Sequence, residues 1–518
     1  IFQNNLDYID SIKILIETIK KDEKICILGD YDVDGSAATA LFVKFFKELN
    51  YPHFYYIPDR INDGYGPSVK LFKKLIVQKP KLIIMVDCGS TSNKAIDFLN
   101  KNNIKSLIID HHEINKPYPK ANAIINPKKK KDYLEYDYLC ASALTYFFLD
   151  LLTKNIKNKF NLRKNLIYVL LATVCDVMPL RKLNRLISIT ALNEFKINQN
   201  YVLNKLYEIN GKKNKLNIND LGYMIGPILN SGGRLSKSEL ATELLSTENH
   251  EKINKILLEL FSLNKKRQEI EITTLNSIDF KKLKMDNEDI IFFYDPNINE
   301  GLIGIIAARL KEYFDKPSFV ITKSNNLLKG SARSTQEYNI GRAIKNSLDE
   351  NIILKGGGHN MAAGFTLDVD NFDIFKKFIS KDYLKNNISK PDNFNYDFEI
   401  STSIFNNDFY KQIQKIEPFG VGNPSPTFLF RDLKVIKSNV LNKKFISCIL
   451  KSKIGFSINS IFFDSLNNEI GKYLLNYKKN FSVIGQIHEN FWNNKKTLQL
   501  IIKDLILWFI IDLISKDF

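Results

Sequence analysis

Cysteine and histidine are scarce in this sequence, and long apolar runs are missing. The five cysteines among 518 residues are odd in number, scattered, and never spaced as C-x-x-C. That excludes a disulfide framework and a thiolate zinc site, and it points to a reducing, cytoplasmic setting. The longest apolar run, Leu505 to Ile514, is broken by Asp512 and is too short to span a bilayer, so no membrane role is expected. No signal-peptide pattern is visible at the start, which opens on Ile1 rather than Met. Of six histidines, two are adjacent, His111 and His112.

What is present suffices for several packed cores: 44% hydrophobic and 12% aromatic residues rule out wholesale disorder. The length predicts about three or four domains. Lys+Arg 74 against Asp+Glu 57 leaves a formal charge of +17. Such an excess favours a polyanionic partner, nucleic acid or an acidic membrane surface. Heavy use of Lys, Asn and Ile along the whole chain produces the same excess without one, so charge alone decides little.

The sequence is organised around Asp30-Tyr31-Asp32-Val33-Asp34-Gly35. The apolar stretch 24–29 before it predicts a buried strand, and Ser36 with the residues after it predicts a helix capped by that serine. Three carboxylates on a strand-to-helix turn repel one another unless cations neutralise them. The spacing also matches the first six positions of an EF-hand loop. That reading fails because Leu41 stands at position twelve, where a bidentate Glu is needed, and because a strand leads in.

Two further apolar runs of strand length end on polar chemistry. Residues 81–86 end on Asp87, and 106–109 end on Asp110-His111-His112. Helical segments separate them, giving a doubly wound parallel sheet. An apolar helix over 162–174 runs into Cys175 and Asp176. The inventory of Asp30, Asp32, Asp34, Asp87, His111, His112 and Asp176 suits Mn²⁺ or Mg²⁺ rather than zinc or copper. A shared carboxylate would hold two such ions as in phosphoryl-transfer sites.

These residues match, in order, the four motifs of the DHH phosphoesterase superfamily, and the chain resembles its RecJ branch of single-stranded-DNA exonucleases. Ile57-Pro58-Asp59-Arg60 through Gly64-Tyr65-Gly66 is similar to a loop typical of that branch. Gly356-Gly357-Gly358-His359 with Ala362-Ala363-Gly364 looks like a DHHA1 substrate domain. Glu417-Pro418-Phe419-Gly420-Val421-Gly422-Asn423-Pro424 resembles the opening of an oligonucleotide-binding domain. The resemblance implies a DHH catalytic domain over 1–195 and a helical connector over 196–285. A smaller α/β DHHA1 domain over 286–385 and an OB-fold β-barrel over 394–506 follow, with 507–518 unassigned. It implies that Asp32, Asp34, Asp87, His111 and Asp176 ligate two Mn²⁺ or Mg²⁺ ions, with Asp87 as the bridge. Asp30 is a ligand or supports one, and His112 acts on the scissile phosphate.

Residues 226–235 read as a glycine-rich turn carrying Arg234, which the resemblance places near the DNA backbone. Residues 249–283 read as one long helix. Arg309, Ser331 and Arg333 are expected to form a fork for a terminal phosphate, with Gly357, Gly358 and His359 close by. Ile298-Asn299 departs from the Trp-His usual in that branch, and Asn cannot serve as an acid. In the barrel, Phe445, Phe462, Phe463, Phe491 and Trp492 are candidates to stack bases, interleaved with Lys443, Lys444, Lys495 and Lys496. The implied activity is 5′→3′ exonucleolytic hydrolysis of single-stranded DNA in repair, recombination and mismatch repair. The implied partners are a single-strand-binding protein and a RecQ-type helicase. A small-substrate DHH phosphoesterase and an inactive single-strand-binding scaffold remain as alternatives.

Overall fold

The apolar runs of the first 125 residues form strands because both of their faces can be buried. In the computed structural model, β1 (Ile25–Leu28), β2 (His53–Tyr56), β3 (Leu82–Val86), β4 (Lys105–Ile109) and β5 (Ala123–Ile125) pair in parallel in the order β2-β1-β3-β4-β5. Ile25, Ile27, Ile84 and Ile109 enter one core, while Cys26, Leu28, Ile83 and Ile108 enter another. Side chains alternate across a strand, so successive residues feed opposite layers. α1 (Leu6–Lys20) and α2 (Val33–Glu48) cover the first face, and α3 (Val69–Leu75) and α4 (Asn93–Lys101) cover the second. This is the expected doubly wound sheet. Its strand order reverses between β1 and β3, so the crevice at their C-terminal ends is the place for a ligand.

The structure describes all residues except 1, 60–62, 65, 157–159, 213–214, 286–288, 325, 387–394, 442–444, 464–468, 477–479, 493–494 and 508–518. Contacts divide it into two units, Ile1–Lys390 and Pro391–Phe518. Among the described residues no helix is long and apolar enough to cross a membrane.

Helices α5 (Ala141–Asn155), α6 (Leu166–Cys175), α7 (Lys182–Glu194) and α8 (Tyr201–Ile209) enlarge the first core. Residues 226–234 differ from the expected turn: they form α9 (Gly226–Arg234), entered through a π-helical turn over Asp220–Ile225. Its glycines serve close packing. A Cβ on Gly233 would lie 2.8 Å from the Tyr31 carbonyl oxygen, so only glycine lets α9 lie against the acidic turn. After α10 (Leu240–Ser246) comes α11 (His250–Ser277), with Ile253, Ile256, Leu257 and Leu260 buried on one stripe. The helix stops short of the expected Leu283 because Ile278 adopts an extended conformation, and α12 (Phe280–Met285) starts afresh.

A second sheet follows in the order β6-β7-β8-β10-β9, built from β6 (Ile291–Tyr294), β7 (Ser318–Ser324), β8 (Leu327–Arg333), β9 (Lys355–His359) and β10 (Ala362–Asp368). The β6–β7 pair is parallel and the other pairs are antiparallel. It packs with α13 (Ile303–Phe314), α14 (Ile340–Asp349) and α15 (Phe372–Asn386). The unit Pro391–Phe518 holds β11 (Phe398–Glu399), α16 (Asn407–Gln414), β12 (Thr427–Leu441), β13 (Phe445–Ser452), β14 (Ser457–Phe462), α17 (Glu469–Asn476), β15 (Phe481–Trp492) and β16 (Lys495–Ile506). Strands β12, β13, β14, β16 and β15 close into a barrel through the β12–β15 pair, as expected of an OB fold. Phe462 is buried in the barrel core rather than available for stacking; Phe463 is half exposed and meets Phe445 edge-on at 5.3 Å. Lys496 pairs with Glu489 at 3.0 Å. Arg60, Tyr65, Lys443, Lys444, the side chains of Phe491, Trp492 and Lys495, and the tail from 508 onward lie outside the described residues.

Candidate metal centre

The acidic turn is tighter than the sequence suggested. α2 starts at Val33, and its cap is Asp32, whose carboxylate accepts the Gly35 amide at 3.0 Å. Ser36 is therefore inside the helix, and Asp34 lies in its first turn, where the helix dipole favours negative charge. Gly35 makes the turn possible, since a Cβ there would fall 2.5 Å from the Asp30 nitrogen. The Asp34 carboxylate also reaches the start of α5, accepting the Ala141 amide at 2.7 Å and the Ser142 amide at 2.8 Å. Two helix N-termini thus offset part of the repulsion among these carboxylates.

Asp87 follows β3 with φ of 61°, a left-handed conformation that turns its carboxylate inward. Asp110, His111 and His112 follow β4, and Asp176 caps the C-terminus of α6. The His111 Nε2 lies 3.2 Å from Asp87, 3.4 Å from Asp176 and 3.7 Å from Asp34. Three triplets offer ligand atoms within 4.8 Å of one another: Asp30, Asp32 and Asp87; Asp34, His111 and Asp176; Asp87, His111 and His112. All seven residues singled out in the sequence therefore meet at the switch point, with Asp87 common to two triplets.

Two observations test whether this set fits divalent ions. Asp87 Oδ1 and Asp176 Oδ2 are buried and have no hydrogen-bond partner among the described residues, which is costly unless a cation satisfies them. Burial and the charges of Asp32, Asp34 and Asp30 push the Asp87 carboxyl well above its ordinary range, and burial with Asp34 and Asp32 does the same for Asp176. The donors are oxygens and imidazole; the neighbouring Cys140 and Cys175 thiols are pushed up by burial and stay protonated. Hard ions such as Mn²⁺ and Mg²⁺ fit this set.

The two histidines differ. Burial, with the charge of His112, brings His111 down to about 4, so it is a neutral donor. Burial also opposes protonation of His112, but Asp110 outweighs it and lifts His112 to about 9. Asp110, a motif residue to which sequence reasoning gave no role, holds this arrangement. Its Oδ1 accepts His112 Nδ1 at 2.7 Å and the amides of His111 and His112, and its Oδ2 accepts the Ser90 amide at 3.0 Å. The ring of His359, at the end of edge strand β9, stacks 6.3 Å from that of His112. Gly358, beside it, must lack a Cβ to clear the Ala362 oxygen, whereas Gly357 faces open space.

Of the expected phosphate fork, the structure gathers two members. Arg333 donates to Ser331 Oγ at 3.3 Å, and Gly304, unassigned in the sequence, leaves room for both. Arg309 is not gathered with them. Its guanidinium is tied to Glu271 at 2.8 Å and Glu312 at 3.0 Å, five positions beyond Gly304 and so on another face of α13. Arg234 donates to the Gly301 carbonyl at 3.2 Å and, with Asn230, Arg267, Cys175 and Ile305, lines a cleft. Asn299 spends its side chain on the Gly301 amide at 2.8 Å, shaping the entry to α13, and Ile298 is buried.

Comparison with known proteins agrees with this geometry. The DHH family N-terminal domain matches residues 24–174, the DHHA1 domain 287–385 and the RecJ OB domain 396–504. Fold and site together define a DHH-type phosphoesterase. Single-stranded-DNA-specific exonuclease RecJ of Escherichia coli is 30% identical over 71% of this chain and 67% of its own length. That of Haemophilus influenzae is 28% identical over 95% and 89%. Among solved structures, RecJ from Thermus thermophilus in complex with Mn²⁺ superposes with a TM-score of 0.81 at 23% identity, covering 97% of this chain and 72% of that one. An exonuclease RecJ bound to manganese superposes at 0.60 with 26% identity, over 72% and 93%. The chain belongs to the RecJ family.

Proposed function

We propose that this protein is a divalent-metal-dependent exonuclease that degrades single-stranded DNA from its 5′ end to 5′-mononucleotides, in DNA repair and recombination. The observation that carries the reading is the pair of unsatisfied buried carboxylate oxygens on Asp87 and Asp176 around neutral His111, in a chain that also holds an OB barrel. Asp32, Asp34, Asp87, His111 and Asp176 hold two Mn²⁺ or Mg²⁺ ions, with Asp30 as ligand or support. Bound there, the ions supply an activated water and neutralise phosphate charge. His112, kept protonated by Asp110, donates a hydrogen bond to the scissile phosphate. Ser331 and Arg333 receive the terminal phosphate as a two-point donor, with Gly357, Gly358 and His359 along the same edge and Arg234 on the backbone. The OB barrel adds affinity for the rest of the strand.

The same reading divides the chain into catalytic (1–195), connector (196–285), DHHA1 (286–385) and OB (394–506) parts. It calls for a helicase of RecQ type and a single-strand-binding protein as suppliers of substrate, in the cytoplasm. The test is release of mononucleotides from 5′- and 3′-labelled single strands with Mn²⁺ and with EDTA. Activity is expected only with metal and from the 5′ end. Asp87→Ala should abolish hydrolysis while single-strand binding persists; cleavage at the normal rate by that variant sinks the two-metal reading.

A further inference from the structure

Lys128 is a cation in the same strand-end layer as the acidic cluster, and the roles given above do not use it. It follows β5, which lies beside β4, so it emerges at the edge that carries His111 and His112. Its backbone is fixed: the Lys128 amide donates to Asn126 Oδ1 at 2.9 Å. Asn126 is itself buried and donates to Ser90 Oγ at 2.8 Å and to the His112 carbonyl at 2.9 Å. The Lys128 side chain is only 17% exposed, and its ammonium meets the exposed Glu113 carboxylate at 2.9 Å. Its charge acts on His111 and Asp176 in the first lobe and on His359 at the end of β9. The lysine therefore stands where the metal centre and the second sheet come together, with an exposed carboxylate as its partner.

We propose that Lys128 is a substrate-binding residue that takes a phosphodiester oxygen of the single strand, and that Glu113 holds its ammonium in place until the phosphate displaces it. This rests on the nuclease reading above and deepens it. An ammonium is a point donor suited to a phosphate oxygen without bidentate geometry. The Lys128–Glu113 pair is half solvated, so exchanging a carboxylate for a phosphate costs little.

The test uses the full-length protein with 5′-phosphorylated single-stranded DNA. KM and kcat are measured in Mn²⁺, and binding is measured by anisotropy in EDTA across salt concentrations. Lys128→Gln should raise KM about tenfold and lower the salt slope of binding by about 0.7, one single-strand phosphate contact. Its Mn²⁺ affinity, read by electron paramagnetic resonance, should hold. Lys128→Arg should restore most of the KM, and Glu113→Gln should lower KM by freeing the ammonium. An unchanged KM and salt slope for Lys128→Gln, or a raised KM for Glu113→Gln, overturns the proposal while wild-type protein still degrades the strand. A wild type that degrades no single strand overturns the nuclease reading itself.

Discussion

Asp110 shows how one buried side chain can set the chemistry of its neighbours without touching the reacting atoms. It accepts from both following amides, from the Ser90 amide and from His112 Nδ1, so one oxygen aims the paired histidines and the other holds the turn at Ser90. Burial disfavours its charge, but the His112 and His111 imidazoles and these hydrogen bonds hold it well below the usual carboxylate range. Asp110→Asn keeps the shape and removes the charge that protonates His112. We expect kcat to fall roughly 10–100-fold, the range for a lost outer partner of a metal site, with KM and Mn²⁺ affinity nearly unchanged. A KM effect without a kcat effect would assign Asp110 to binding instead.

At the scale of elements, strain accompanies the placement of Asp176. The helix α6 ends in a Schellman arrangement in which the Met178 amide bonds the Thr173 carbonyl at 3.0 Å and the Val177 amide bonds Val174 at 3.1 Å. The left-handed position of this motif, normally glycine, is occupied by Val177 at φ 57°, with its side chain 63% exposed. A β-branched residue there costs about 1–2 kcal/mol. Val177→Gly should therefore stabilise the protein by about 1 kcal/mol, read as a higher urea midpoint. No change in the midpoint would mean that the valine finds compensating contacts. The strands and their polar ends were legible in the sequence because continuous apolar runs capped by Asp or His carry their own signal. The start of α2 and the helix at Gly226–Arg234 were not. Asp32 competes with Ser36 as a cap by chemistry alone, and glycines that serve packing look the same in sequence as glycines that serve turns. The pairing of Arg309 was hidden for a similar reason: its partner Glu271 lies 38 residues away on α11.

For the whole molecule, the two units have separate hydrophobic cores, one set within Ile1–Lys390 and one within Pro391–Phe518. The proposed ion ligands all lie in the first. An ion that binds only the folded site stabilises that unit by mass action, by about 2.7 kcal/mol at a hundredfold excess over Kd. Calorimetry should then show two transitions, of which Mn²⁺ raises one and leaves the other in place. If both shift together, the units unfold as one cooperative body or the ion binds elsewhere.

The left-handed backbone at Asp87 has a bearing on how this position can vary. Aspartate and asparagine tolerate that conformation better than most side chains, so the site selects its residue twice, once for the carboxylate and once for the bend. Glutamate would keep the charge and lose the bend, and alanine would lose both. Asparagine alone separates the electrical role of position 87 from its role as a hinge in the peptide path.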